Sequence, residues 1–215
     1  MNDLSKRLAT SFVLGLVFFF SIINEIIFVL VLFIIFIQLY YEFYFLINKI
    51  LSKKDKILLY FILILILIYL FIFILCIAIN FPHEQNNNFI ILIMSISICI
   101  ASDIGGYLFG RIFKGKKLTK ISPKKTYSGL LGAYILAILT TSLIFHNFFS
   151  SYYIIMFSVI VSTVSQLGDL FISYLKRKAK VKDTGKFLPG HGGLLDRLDG
   201  IIFAIPLSLM FNLYQ

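Results

Sequence analysis

The sequence predicts an all-α integral membrane protein of about seven transmembrane helices, with a cytoplasmic N-terminus and a polar site on the cytoplasmic side. Three observations predict it. Of 215 residues, 60% are hydrophobic and only 14% charged, with a mean hydropathy of +0.96, whereas a soluble domain is about a quarter charged. Apolar runs recur at the ~17–25 residues that cross a hydrocarbon core as helix. All 20 Lys and Arg fall in four places, Lys6–Arg7, Lys49–Lys56, Arg111–Lys125 and Lys176–Arg197. The net charge of +10 is therefore a topology signal, and nucleic acid is not an expected partner.

The first apolar stretch, Leu8 to Ile47, would reach about 60 Å as one helix, roughly twice the core thickness. It splits at Asn24–Glu25 into two helices joined by a tight turn. The third span is Ile57–Ile79, the fourth Phe89–Phe109, the fifth Ser128–Phe145 and the sixth Tyr152–Leu175; the seventh starts near Arg197 and ends near Tyr214. The connections after spans one, three and five contain no Lys or Arg. The N-terminus and the connections after spans two, four and six hold them all, as the positive-inside rule requires of seven spans with an inside N-terminus. Lys6–Arg7 ahead of an apolar run resembles a secretory signal, but no small-residue cleavage site precedes Asn24, so a retained first helix is expected. Tyr (12) replaces the absent Trp in the interfacial belts. Cys76 and Cys99 lie in apolar runs without ligand spacing and read as small buried hydrophobes. No internal repeat and no soluble domain is evident.

The acidic residues carry the chemistry. Asp3, Glu25, Glu42, Asp55 and Glu84 lie in tails, connections or at a span end, where a solvated or interfacial role is expected. Asp103 and Asp169 lie inside apolar helices, at a cost of about 2.5–3.5 kcal/mol on insertion scales, so each must face the bundle with a partner. Gly105 and Gly106 after Asp103 permit close approach of a helix or a ligand. Gln166, Asp169, Ser173 and Lys176 form one polar stripe at helical spacing. A structural interhelical hydrogen-bond network accounts for such a stripe as well as a ligand site does.

The loop after span six reads Lys182-Asp183-Thr184-Gly185, Pro189-Gly190-His191-Gly192-Gly193 and Asp196-Arg197-Leu198-Asp199. Glycines around His191 expose backbone N–H groups as anion nests do. Asp196 and Asp199, at i and i+3, are expected on one face at the start of span seven, either as caps or as hard oxygen ligands of the kind Mg²⁺ takes with phosphate. His191 is ranked first as a phosphate donor, then as a loop-holding hydrogen bond, then as a proton-transfer group. His83 and His146 read as interfacial. The basic loop Ser122-Pro123-Lys124-Lys125-Thr126 suits anionic lipid or a nucleoside triphosphate.

The run Ser173-Tyr174-Leu175-Lys176-Arg177, then Lys182-Asp183, then Pro189 to Asp199, resembles the signature of the phosphatidate cytidylyltransferases without a gap over 27 residues. Gly168-Asp169-Leu170 and Ser122-Pro123-Lys124-Lys125-Thr126 resemble the family's flanking elements, and Asp103 with Gly106-Tyr107 its intramembrane Asp segment. The family commonly has Glu after the aromatic that follows Lys-Thr; this chain has Ser128 after Tyr127.

The resemblance implies Mg²⁺-dependent transfer of a cytidylyl group from CTP to phosphatidic acid at the cytoplasmic face of the cell membrane, in phospholipid biosynthesis. A second metal or a monovalent cation beside Mg²⁺, and a homodimer, are compatible with it. It implies Asp169, Asp196 and Asp199 at the metal, with Asp183 and Asp103 next. Lys125, Lys176, Arg177, Lys182 and Arg197 become phosphate contacts, Ser122 and Thr126 CTP contacts, and His191, Gly192 and Gly193 part of the substrate loop. The chain then divides into an N-terminal hydrophobic part, residues 1–88 with three spans, and a catalytic membrane part, residues 89–215 with four. The rivals are a transporter, against which no charged path crosses the bilayer, a lipid kinase or cytidylyl transfer to another lipid phosphate, and a structural subunit, which leaves the Asp, His and Gly cluster unexplained.

Overall fold

The computed structural model describes residues 3–51, 55–80, 87–119, 121–190 and 192–212. Among these the chain is helical: α1 (Asp3–Ile23), α2 (Glu25–Ile50), α3 (Lys56–Asn80), α4 (Asn87–Phe113), α5 (Tyr127–Phe145), α6 (Ser151–Lys178), α7 (Leu195–Leu198) and α8 (Ile201–Asn212). Five of them, α2 to α6, are long and apolar enough to cross a membrane, and shorter apolar helices lie at Leu8–Ile23 and Ile201–Met210. Large apolar side chains such as Phe12, Ile26, Ile57, Leu143 and Tyr152 stand exposed along them. Lipid is the solvent that such surfaces suit.

The split of the first apolar stretch falls at Asn24, as its composition predicts. The residue adopts an extended conformation and its side chain accepts from Ile26 N–H (2.9 Å) and Ile27 N–H (3.2 Å). A capping amide thus satisfies two N–H groups of the first turn of α2. α1 and α2 then pack against each other.

The chain packs as two units, Met1–Ala78 with Leu175–Leu198, and Ile79–Tyr174 with Asp199–Gln215. In the first, Leu39, Phe43 and Leu46 of α2 and Leu63, Leu70 and Phe73 of α3 are buried, and so are Leu188 and Leu195 of the segment that follows α6. In the second, α4 lies along α5 and α8, around a core of Ile91, Met94, Ile98, Ala137, Phe157, Val161 and Ala204.

Glycines explain the closeness of α4 and α5. A Cβ at Gly105 would overlap the Gly132 carbonyl, one at Gly129 would lie 2.7 Å from the Gly106 carbonyl, and one at Gly132 would strike the Phe109 ring. Small residues that let backbones approach are a driving force for helix association in lipid. Gly105 is required by helix packing, while a Cβ at Gly106 would meet Gly129 O only at 3.7 Å, an ordinary contact. Hydroxyl pairs tie α6 to its neighbours: Ser102 with Ser162 (2.9 Å), Tyr134 with Thr163 (2.9 Å) and Thr141 with Ser158 (2.7 Å). Each contributes roughly 0.6 kcal/mol by analogy with other membrane bundles.

Two expectations are corrected. α4 runs one turn beyond Phe109, to Phe113, where Lys114 ends it at φ 43°. The seventh helix does not start near Arg197. α7 stops at Leu198, Asp199 and Gly200 form a turn, and α8 begins at Ile201. The Gly200 carbonyl takes the first α8 amides, from Phe203 and Ala204. A Cβ at Gly200 would collide with Ser165, so this position admits only glycine.

Gly105→Ala is expected to destabilise the protein by about 1–3 kcal/mol through overpacking against backbone. Gly15→Ala, where nothing lies within 4 Å of the new methyl, should be neutral or stabilise by up to ~1 kcal/mol. Thermal unfolding in detergent checks both, and equal behaviour of the two would refute the glycine contact.

Candidate functional site

In the first unit the site grows from the end of α6. Val181 N–H bonds Lys176 O (3.0 Å) and Lys180 N–H bonds Arg177 O (3.1 Å). With Lys180 at φ 56°, this is the Schellman pattern that reverses a chain after a helix. The segment returns through Thr184–Gly185 to a turn at Pro189–Gly190, closed by main-chain bonds between Leu188 and Gly192. Gly190 (φ 78°) and Gly192 (φ 90°) take the left-handed conformations that this turn needs.

That loop is built around a residue the sequence reading assigned to an interfacial role. Glu42 of α2 is fully buried. Its Oε1 accepts from Gln38 Nε2 (2.7 Å) and Leu194 N–H (2.8 Å), and its Oε2 from Thr184 Oγ1 (2.5 Å) and Leu195 N–H (2.9 Å). A Cβ at Gly193 would overlap Thr184 Oγ1 and Glu42 Oε2, and one at Gly185 would come 2.9 Å from Glu42 Oε1. Of the glycines around His191 read from sequence as an anion nest, Gly192 N–H bonds the Leu188 carbonyl and Gly193 N–H bonds Asp196. A usable signal was present: an acid within an apolar helix needs a partner, and Gln38 stands one turn before Glu42.

Asp196 is held beside it. Lys176 Nζ donates to Oδ1 at 2.7 Å, while Oδ2 receives Thr184 N–H (2.8 Å), Gly193 N–H (3.1 Å) and lies 3.0 Å from Thr184 Oγ1. The Thr184 hydroxyl therefore sits between two carboxylates and gives its one hydrogen to one of them at a time. Burial pushes the Asp196 carboxyl up, but the Lys176 bond and charge and the two N–H donors outweigh it and hold the group below the usual carboxylate range. With four contacts already on its oxygens, Asp196 is an anchor for Lys176 before it is a ligand for anything else.

In the second unit the loop after α4 forms a small hairpin. Leu118 N–H bonds Lys125 O, Tyr127 N–H bonds Lys116 O, and the turn Ser122-Pro123-Lys124-Lys125 is closed from Lys125 N–H to Ser122 O. Thr126, expected at CTP, caps α5 by accepting from Gly129 N–H at 3.1 Å. Ser128, standing where Glu is common, shares a hydrogen bond with Thr126 (3.0 Å) and accepts from Gly115 N–H (3.2 Å). It closes the hairpin base.

The hairpin delivers Lys125 to Asp169 of α6, an ion pair of 2.5 Å with both side chains about a quarter exposed. Ser173 donates to the other Asp169 oxygen (3.3 Å). Asp103 of α4 has Asp169 and Lys125 as its electrostatic neighbours. A Cβ at Gly168 would lie 2.8 Å from the Asp199 carbonyl, so the main chain of Asp199 runs against the residue preceding Asp169. Gln166, from the same stripe, bonds Ser162 (3.1 Å) and belongs to the helix-packing network.

α7 ends between Asp196 and Asp199, so the two do not share one continuous helix. Arg177, Lys182, Asp183 and Arg197 are exposed. Asp183 stands against Gly192, and His191 and His83 lie outside the described residues.

Among the described residues no three His, Cys, Asp or Glu side chains converge at metal distance. Asp103 and Asp169 are two carboxylates with a lysine as shared electrostatic neighbour, and hard divalent cations bound through one or two carboxylates complete their shell with other oxygens.

The sequence profile of the cytidylyltransferase family matches residues 7–214. The chain is 43% identical over 115 residues to a phosphatidate cytidylyltransferase of Rickettsia typhi, covering 49% of this chain and 50% of that protein. To the Rickettsia felis protein of that name it is 46% identical over 114 residues (48% and 50%), and to the Helicobacter pylori J99 one 41% over 119 residues (54% and 44%). The chain spans about half the length of the curated relatives it matches.

The depressed Asp196 value has a pH signature. A carboxylate lowered on folding stabilises fully above its unfolded value, about 3.9, and loses that contribution as pH falls through the lower folded value. The difference in melting temperature between wild type and Asp196→Asn is therefore expected to hold from neutrality to about pH 5 and to shrink below about pH 4. A gap that already shrinks between pH 7 and 6 would contradict the assignment.

Proposed function

Because the chain belongs to the cytidylyltransferase family, we propose that it is a phosphatidate cytidylyltransferase, joining CTP and phosphatidic acid into CDP-diacylglycerol with release of pyrophosphate. The observation that carries this reading is the Lys125–Asp169 ion pair, on the elements that resemble the family's motifs. A lipid phosphate oxygen attacks the α-phosphorus of CTP, a new P–O bond forms, and the bond to the β-phosphate oxygen breaks. The attacking oxygen is already anionic, so no strong base is needed. The barrier lies in bringing polyanions together and neutralising the leaving pyrophosphate.

Lys125 and Lys176 supply positive charge for phosphates, each held in place by an aspartate. Asp169 and Asp103 would hold Mg²⁺, with Asp199 next to them in chain packing; a bound cation supplies charge neutralisation on the triphosphate. Ser122 in the second unit, and Lys182, Arg177, Arg197, Asp183, His191, Gly192 and Gly193 in the first, are the further residues we assign to substrate contacts, and Asp196 positions Lys176. The topology we propose is seven spans with the N-terminus and both basic loops cytoplasmic, so that the lipid tails stay between helices while the headgroup reaches the interface.

Purified protein with Mg²⁺ should convert radiolabelled CTP to a lipid-extractable product only when phosphatidic acid is present, and Lys125→Met should lower kcat/KM at least ~100-fold with folding retained. Turnover with a different lipid phosphate alone would change the acceptor, and full activity in Lys125→Met would remove its assigned role. Cysteines at Phe148 and Lys180, which flank α6, are expected to label from opposite membrane faces; labelling from one face would refute the span count.

A further inference from the structure

We propose that Glu42 is a positioning residue: its buried carboxylate clasps residues 184–195 and thereby sets the Thr184–Asp196–Lys176 chain in the geometry that meets phosphate. The inference rests on the cytidylyl-transfer reading for its chemistry, and on the first unit alone for its geometry.

A carboxylate with no exposed surface is costly unless every oxygen is met by a donor. Glu42 meets that condition with donors from three places: Gln38 one turn earlier on α2, the Thr184 side chain, and the consecutive main-chain amides of Leu194 and Leu195. A well-packed apolar side chain would fill the same volume at lower cost. What the carboxylate adds is direction, because two successive N–H groups and one hydroxyl are drawn to one point.

The surroundings are cut to that group. Gly185 and Gly193 leave room for it where any larger residue would collide with its oxygens. Thr184 and Gly193, which line Glu42, are also the residues whose main-chain N–H groups hold Asp196 Oδ2. Asp196 in turn holds Lys176 through its other oxygen. A displacement of the Glu42 carboxylate is therefore transmitted through Thr184 to Asp196 and to the ammonium that faces substrate. Glu42 touches no substrate in this account and acts through its neighbours.

Glu42→Gln keeps the size but sets an NH₂ against N–H donors, and Thr184→Val keeps the shape but removes the hydroxyl. With both, amide exchange in residues 184–195 is expected to quicken by at least ~10-fold while α4 and α5 keep their protection. The KM for CTP is expected to rise by at least ~10-fold with a smaller fall in kcat, and Thr184→Ser to restore it to within about threefold. A merely structural role lowers the amount of folded enzyme, and with it kcat, without moving KM. Unchanged KM in both variants overturns the proposal, whatever kcat does. If Glu42→Gln does not fold, Thr184→Val carries the same test. If wild-type protein turns over no CTP with phosphatidic acid, the cytidylyl reading fails separately. Hydrogen exchange then decides the clasp, and wild-type protection of 184–195 in the variants refutes it.

Discussion

A charge carried into a bundle of lipid-facing helices must bring its partner with it, and this constraint orders the polar half of the molecule. A carboxylate withdrawn from water is costly without donors, and Asp169, Asp196 and Glu42 are each met by fixed donors or a cation. Asp169 has Lys125 and Ser173, Asp196 has Lys176 and two main-chain amides, and Glu42 has four donors. The hydroxyl pairs between α6 and its neighbours follow the same rule with weaker groups.

The same pairing suits the chemistry we propose. A lysine kept beside an aspartate is held in one place without the conformational freedom that a surface lysine keeps, and a polyphosphate competes for it on favourable terms because it offers more negative charge than one carboxylate. Preorganised charge of this kind is the main resource available to a reaction whose nucleophile is already ionised. The two basic loops are built by different devices to the same end. One is a hairpin closed by Thr126 and Ser128, the other a Schellman reversal and a glycine turn wrapped on a buried acid.

Glycine residues show how one local feature serves several physical ends. Gly105, Gly129 and Gly132 exist for helix contact, Gly190 and Gly192 for left-handed backbone, and Gly185 and Gly193 for the space around a carboxylate. From sequence these classes look alike. Only the neighbour that a methyl group would strike tells them apart, and that neighbour comes from another part of the chain.

The helices, the break at Asn24 and the gathering of acids and bases in the second half were legible in the sequence. They depend on hydropathy, capping and charge, which act over a few residues. So was the need of Asp169 for a partner, although not that Lys125 is that partner. The end of α7 before Asp199, the capping duty of Thr126 and the burial of Glu42 were decided by tertiary structure. Glu42 and the loop residues that hold it, Thr184, Leu194 and Leu195, are separated by 142 to 153 positions. No periodicity or spacing records a contact of that range, because it exists only once the packing of the first unit brings α2 and the returning loop together.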